Sequence, residues 1–253
     1  MTPEDVKMAL DRAGPSLDEL EACYRLLPET TCGCMTAGMC CTFLPEITFT
    51  EALQWMIVID RWPVRQRTDQ IRKFLDYYFT SPVRHKGCSF LEAGRCSVYA
   101  HRPFACRAYG LWSMETGRAR TEGNRQSRNE LICQWRRYGV ELPAEMVQFE
   151  MDYCLEVRCQ TPAAATDEGL MAVLAKIYAL DRRFGPLSAD FENRCNSDFS
   201  FLLACLVLGD RKAILGKFAV VKDIVRGQPC GRLESILNQL KPELADSLFT
   251  PSR

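Results

Sequence analysis

The chain has 253 residues, 47% hydrophobic and 25% charged, the proportions of a globular protein that can bury a core without covalent staples. Its 32 Lys and Arg balance 32 Asp and Glu, which argues against a generally polyanionic partner. The start, Met1-Thr2-Pro3-Glu4-Asp5, is acidic with no apolar segment after it, and no apolar run reaches the roughly 18 residues of a membrane span, so a cytoplasmic protein with no membrane partner is expected.

In chain order, Ser16-Leu17-Asp18-Glu19 reads as a capping box opening a helix with Leu20, Cys23 and Leu27 on one face. Thr30 to Cys41 is rich in Gly, Thr and Cys and reads as an irregular loop, with Gly33 and Gly38 supplying φ freedom. Thr48-Phe49-Thr50-Glu51 is a second capping box, leading a helix with Leu53, Met56 and Ile57. Pro63 suits the first turn of another helix, whose buried face is Ile71, Phe74, Leu75 and Tyr78. From Ser81 to about Gly123 the chain is punctuated by glycines and Pro103 and reads as loop. Pro143 starts a helical stretch through Val157, and Thr166 caps Asp167 to Arg183. Ser197 caps an apolar helix to Leu208, Asp210 caps Arg211 to Arg226, and a last helix runs from about Gly231 to Leu240.

The expected fold class is mainly α: a cysteine-rich, loop-dominated metal-binding region packed on helices, then an all-helical region. Pro162 and three alanines make Gln160 to Ala165 the boundary. It divides a metal-binding domain with N-terminal helices, 1–160, from a helical C-terminal region, 161–253.

Fourteen cysteines fall into two populations. Cys23, Cys154, Cys159, Cys195, Cys205 and Cys230 are scattered along helical patterns, where a thiol packs as a small hydrophobe. Cys32, Cys34, Cys40, Cys41, Cys88, Cys96, Cys106 and Cys133 fall together between positions 32 and 133, most of them in the loop-like stretches. Without an export signal a disulfide framework is disfavoured, and grouped thiols point to metal. Zinc and iron–sulfur clusters both accept four thiolates, so eight could fill one site with spares or two sites. Neighbouring side chains diverge on a strand or a helix, so Cys40 and Cys41 are not expected to reach one mononuclear metal. A polynuclear cluster accommodates the pair more easily, which makes an iron–sulfur cluster the preferred cofactor and zinc the alternative. Cys32 and Cys34 are close for two ligands of one metal. Arg102 and Arg107 flank Cys106, where guanidinium groups would stabilise thiolate charge. Nothing rests on His85 or His101.

The run from Cys88 to Arg107 carries a cysteine, Phe90-Leu91, Gly94-Arg95-Cys96, Tyr99 and Arg102-Pro103-Phe104-Ala105-Cys106-Arg107. It resembles the signature of the YkgJ-type cysteine-cluster family, described as chelating zinc or iron. Cys34, Cys40 and Cys41, the following Ile47-x-Phe49-Thr50, and the later Cys133 continue the resemblance over about 32–135. Many members read CxxCxxCC where this chain reads CxCx5CC. The resemblance implies a cysteine-ligated metal and assigns no reaction. One similar protein, flagellin lysine N-methylase, is thought to use an iron–sulfur cluster, but no glycine-rich S-adenosylmethionine loop is visible here. Three readings follow: a cluster protein with a redox or sensing role and a protein partner, a cluster-containing protein-modifying enzyme, and a structural zinc module. No catalytic residue is assigned and no oligomeric state follows. Six arginines between Arg118 and Arg137 form a local basic excess, but the neutral chain has no base-reading motif, which argues against nucleic acid.

Overall fold

The computed structural model describes residues 1–32, 39–150, 153–154, 156–160 and 165–249. The fold is mainly α. Two helices, α1 (Pro3–Arg12) and α2 (Gly14–Tyr24), lead into a short strand, β1 (Thr30–Cys32). Two longer helices follow, α3 (Phe49–Asp60) and α4 (Val64–Thr80). The next stretch holds a hairpin, β2 (Leu91–Glu92) with β3 (Arg95–Cys96), and a one-turn helix, α5 (Phe104–Arg107). Then come α6 (Met114–Arg137), α7 (Ala144–Gln148) and β4 (Val157–Cys159). Six helices complete the chain: α8 (Asp167–Asp181), α9 (Pro186–Cys195), α10 (Phe199–Leu208), α11 (Asp210–Val225), α12 (Gly231–Leu237) and α13 (Pro242–Ser247). No described helix is long and apolar enough to cross a membrane.

The main core draws on both sides of position 160. Helix α4 packs against α10, α11, α12 and α13. Four rings close a cycle at its centre: Trp55 meets Phe90 at 4.9 Å and Phe199 at 5.3 Å, and Phe74 meets the same two at 5.0 and 5.1 Å. All four contacts are edge-to-face, the arrangement that brings a ring's positive edge to another's negative face. Phe90 lies two residues beyond Cys88, so this cycle seats the cysteine-bearing loop on α3 and α4. A second cluster packs Leu20 and Tyr24 of α2, Phe104 of α5, and Leu170, Val173 and Ile177 of α8.

Several local expectations change. Helix α2 begins at Gly14, with Pro15 in its first turn and Ser16 buried, because the chain turns from α1 at Ala13 without leaving helical dihedrals. Ser16 therefore caps nothing. The first capping box is Thr2 with Asp5. Thr48 and Glu51 cap α3 as expected, and Thr166 caps α8. The loop expected up to Gly123 ends at Ser113, whose side chain accepts from Thr116 N–H and starts α6. Gly117 is tolerated there because a Cβ would stand 2.5 Å from the Tyr153 ring. Beyond Pro143 the helix stops at Gln148, and Val157–Cys159 instead pairs antiparallel with Thr30–Cys32, since β1 needs a partner for its backbone groups. Asp198, not Ser197, caps α10, and Asp210 is the first residue of α11 rather than its cap. The last expected helix is two, α12 and α13.

Asp181 at the end of α8 accepts from Phe49 N–H and Thr50 N–H, both at 2.8 Å, and from the Thr50 hydroxyl at 2.6 Å. It thereby fastens the C-terminal helices to the positive end of α3. Replacing Asp181 by Ala leaves those buried donors unmatched and is expected to cost about 2 kcal/mol in a denaturant titration. Burial raises the Asp181 carboxyl above its ordinary value, so the folded state holds this proton more tightly than the unfolded chain. Its contribution is greatest below the unfolded value near 3.8 and declines as pH rises through the folded one. The advantage of the native chain over Asp181→Asn should therefore shrink as pH rises above about 4; an advantage that grows would refute this.

Candidate metal centre

Three features of α3 and α4 place the cysteine segments. Glu51, in the first turn of α3, is buried, and one carboxylate oxygen accepts from Phe104 N–H at 2.6 Å and Tyr24 O–H at 2.7 Å. Its other oxygen accepts from Thr48 N–H at 2.9 Å and the Thr48 hydroxyl at 3.1 Å. Phe104 N–H is the first amide of α5, so Glu51 caps the turn that carries Cys106. One turn further along α3, Trp55 Nε1–H donates to His101 O at 2.9 Å and fixes the approach to Arg102 and Pro103. On α4, Gln70 donates to Ser89 O at 2.9 Å, and the Tyr77 hydroxyl accepts from Leu44 N–H at 3.1 Å. These bonds hold the Cys88 loop and the chain just after Cys41.

The segments also hold each other. Cys88 N–H donates to Cys41 O at 2.6 Å. A Cβ on Gly87 would come within 3.1 Å of the same carbonyl, so glycine permits this close approach. The β2–β3 hairpin turns through Ala93 (φ 47°) and Gly94 (φ 75°), the positive pair of a tight two-residue hairpin, and sets Cys96 opposite Leu91. Ala93 bears the steric strain of that conformation.

These segments carry five of the eight expected thiols: Cys40, Cys41, Cys88, Cys96 and Cys106. Cys40 and Cys41, on a turn of 3-10 helix, have sulfurs 4.0 Å apart. Cys41 feels the charges of Cys88 and Cys106, and Cys96 feels that of Cys40. Two thiolates on one tetrahedral zinc stand about 3.8 Å apart for Zn–S bonds of about 2.3 Å. The vicinal pair can thus share a metal: its sulfurs converge where the sequence suggested divergence, because the turn bends one side chain toward the other. Adjacency therefore does not separate zinc from a cluster. Among the described residues, no three Cys, His, Asp or Glu side chains stand close enough together to hold an ion. Cys34 lies outside the described residues, and Cys32 is described by its backbone in β1 alone. Cys133 is exposed on α6 and does not line the cleft that Cys40 and Cys106 share.

Electrostatics divide the five. Burial pushes Cys88 up to about 12, raises Cys96, and drives Cys106 well above the ordinary thiol range. A hydrogen bond from Cys41 holds Cys40 down at about 6, and sharing that proton sends Cys41 far upward. Arg102 lowers Cys40, Cys96 and Cys106 alike, as the sequence suggested. Arg107 has another task. Its guanidinium lies 4.2 Å over the Tyr24 ring and donates to Arg102 O and Ala100 O, both at 2.6 Å, which clamps the turn before α5. His85 packs against Phe149 at 4.2 Å, and His101 Nδ1 is buried without a hydrogen-bond partner among the described residues. Glu51, Trp55, Gln70 and Tyr77 escaped the sequence reading as positioning residues. The capping box marked Glu51 as N-terminal in its helix, but nothing local signals its reach to Phe104.

A helical scaffold that seats buried and half-buried thiols on loops under an arginine is of the thiol-rich, metal-chelating class. Residues 33–134 match the CxxCxxCC family model, described as "Putative zinc- or iron-chelating domain". Comparison with curated proteins gave no match, and neither did comparison with solved structures.

In metal-free protein, iodoacetamide should label one thiol of the Cys40–Cys41 pair with a midpoint below that of an ordinary thiol. Arg102→Gln should move that midpoint upward; an unchanged midpoint would remove Arg102 from the site.

Proposed function

We propose that Cys40, Cys41, Cys88, Cys96 and Cys106 hold an iron–sulfur cluster and that the protein uses it in a redox or sensing role, with another protein as its partner. The observation that supports the reading is that hydrogen bonds from α3 and α4, and one from Cys88 N–H to Cys41 O, fasten three thiol-bearing segments, 40–41, 88–96 and 106, to one scaffold. Five thiols are enough for the four ligands of a cluster, with one to spare. Arg102 supports an anionic centre, since four thiolates leave net negative charge on zinc or on an oxidised four-iron cluster. Cys34, carried in the family-matched segment, is a further donor for it.

The donor set fits the group. Thiolates are the ligands that zinc and iron–sulfur centres share. Burial keeps Cys88, Cys96 and Cys106 protonated in the metal-free chain, so loading releases protons and affinity rises with pH. When bound, an iron–sulfur cluster would supply one-electron chemistry. The chain's own residues position it: Glu51 and Trp55 orient the Cys106 turn, Gln70 and the aromatic cycle hold the Cys88 loop, and Arg102 offsets the charge.

Anaerobically purified protein should be brown, with iron and acid-labile sulfide in equal amounts. Colourless protein with zinc would instead support the structural module. Cys106→Ser should release the metal, whereas Cys205→Ser, in the α10 core, should keep it. Retention of full metal content by Cys106→Ser would take that residue out of the centre.

A further inference from the structure

A cleft of about 870 Å³ lies beside the thiols, with Cys40 and Cys106 in its wall. That volume is in the range of small-molecule sites, about 300–1,000 Å³. One wall is formed by α6, where the exposed Arg120 and Asn124 and the half-buried Arg128 follow at helical spacing. The two arginines stand eight residues apart, about 12 Å along the axis. The other wall is the segment after Cys41, with Phe43, Leu44 and Glu46, backed by Tyr77.

The charges on the two walls are opposite and are not engaged with each other. Arg120 stacks 3.9 Å over Trp112, and Arg128 donates to the carbonyls of Val147 and Phe149. Among the described residues neither forms an ion pair within 4 Å, and the acid that feels Arg120, Asp167, is already bound by Ser113 and Thr116. Glu46 has no hydrogen-bond partner among the described residues. Its carboxyl is raised because protein atoms crowd it and Asp198 is near, although the cleft leaves it open to water.

We propose that this cleft binds a short apolar peptide with both termini free, the ammonium on Glu46, the carboxylate on Arg120 or Arg128, and the side chains on the aromatic wall. A ligand carrying both charges is the one chemistry that uses both walls. A purely cationic ligand would face two arginines, and a purely anionic one would face Glu46. Peptide binding here needs no metal.

Isothermal titration calorimetry of the full chain with Ala-Phe-Ala, its N-acetyl form and its C-terminal amide tests this. The free tripeptide should bind, and each blocked form should bind about tenfold more weakly, the loss of one charge-assisted contact. Glu46→Gln should weaken the free tripeptide about tenfold and leave the N-acetyl form unchanged. Asn124→Trp, on the exposed face of α6, should fill the cleft and abolish binding while the circular dichroism spectrum and melting midpoint stay as in the native chain. No heat from the free tripeptide at millimolar concentration, or equal affinity for all three peptides, would overturn the proposal. Each titration is repeated on metal-free protein, so an absent metal sinks the thiol reading alone, and absent heat sinks the cleft alone.

Discussion

The buried carboxylate of Glu51 ties the turn that bears Cys106 to α2 and to the start of α3. It satisfies the first amide of α5, the hydroxyl of Tyr24 and the cap of its own helix at once. Each of those groups would otherwise be a buried donor without a partner, at about 1–3 kcal/mol apiece. The carboxylate therefore fixes three parts of the chain in one relation: α2, the start of α3, and the turn that bears Cys106. Burial raises its pKa despite four donors, since removing a charge from water outweighs even good hydrogen bonding here.

Asp181 acts on the same helix end from the opposite direction. Two buried carboxylates thus meet the start of α3: that of Glu51 accepts from the N–H of the Thr48 cap, and that of Asp181, from α8, accepts from the N–H groups of Phe49 and Thr50. The positive end of a helix lowers the electrostatic penalty of both. The cycle of Trp55, Phe74, Phe90 and Phe199 does the corresponding work in the apolar core. Phe199 belongs to α10, while Phe90 sits beside Cys88, so the C-terminal helices and the cysteine loop share one packing unit. The C-terminal helices are, in that sense, a support for the thiol-bearing loops.

That support explains how loops can present thiols reproducibly. Short 3-10 and hairpin turns direct the side chains, and long helices hold the turns. Desolvation raises the thiols of the buried Cys88 and the half-buried Cys106, while a neighbouring thiol and Arg102 lower that of the exposed Cys40.

Much of this was legible in the sequence. The Thr48 and Thr166 caps, the buried stripe of α4, the mainly helical class and the resemblance of the cysteine segment all follow from local chemistry, because capping and periodicity act over a few residues. So does the reading of Cys205 as a core thiol. Contacts between distant residues were beyond it. Nothing near Glu51 points to Phe104, 53 positions away, and nothing near Val157 says that it pairs with Cys32. The spacing of Cys40 and Cys41 suggested divergence, and only the bend of the turn brought their sulfurs to 4.0 Å. The sequence by itself determined which groups need burial or a partner; tertiary structure decided which partner each found, because that choice depends on packing over the whole chain.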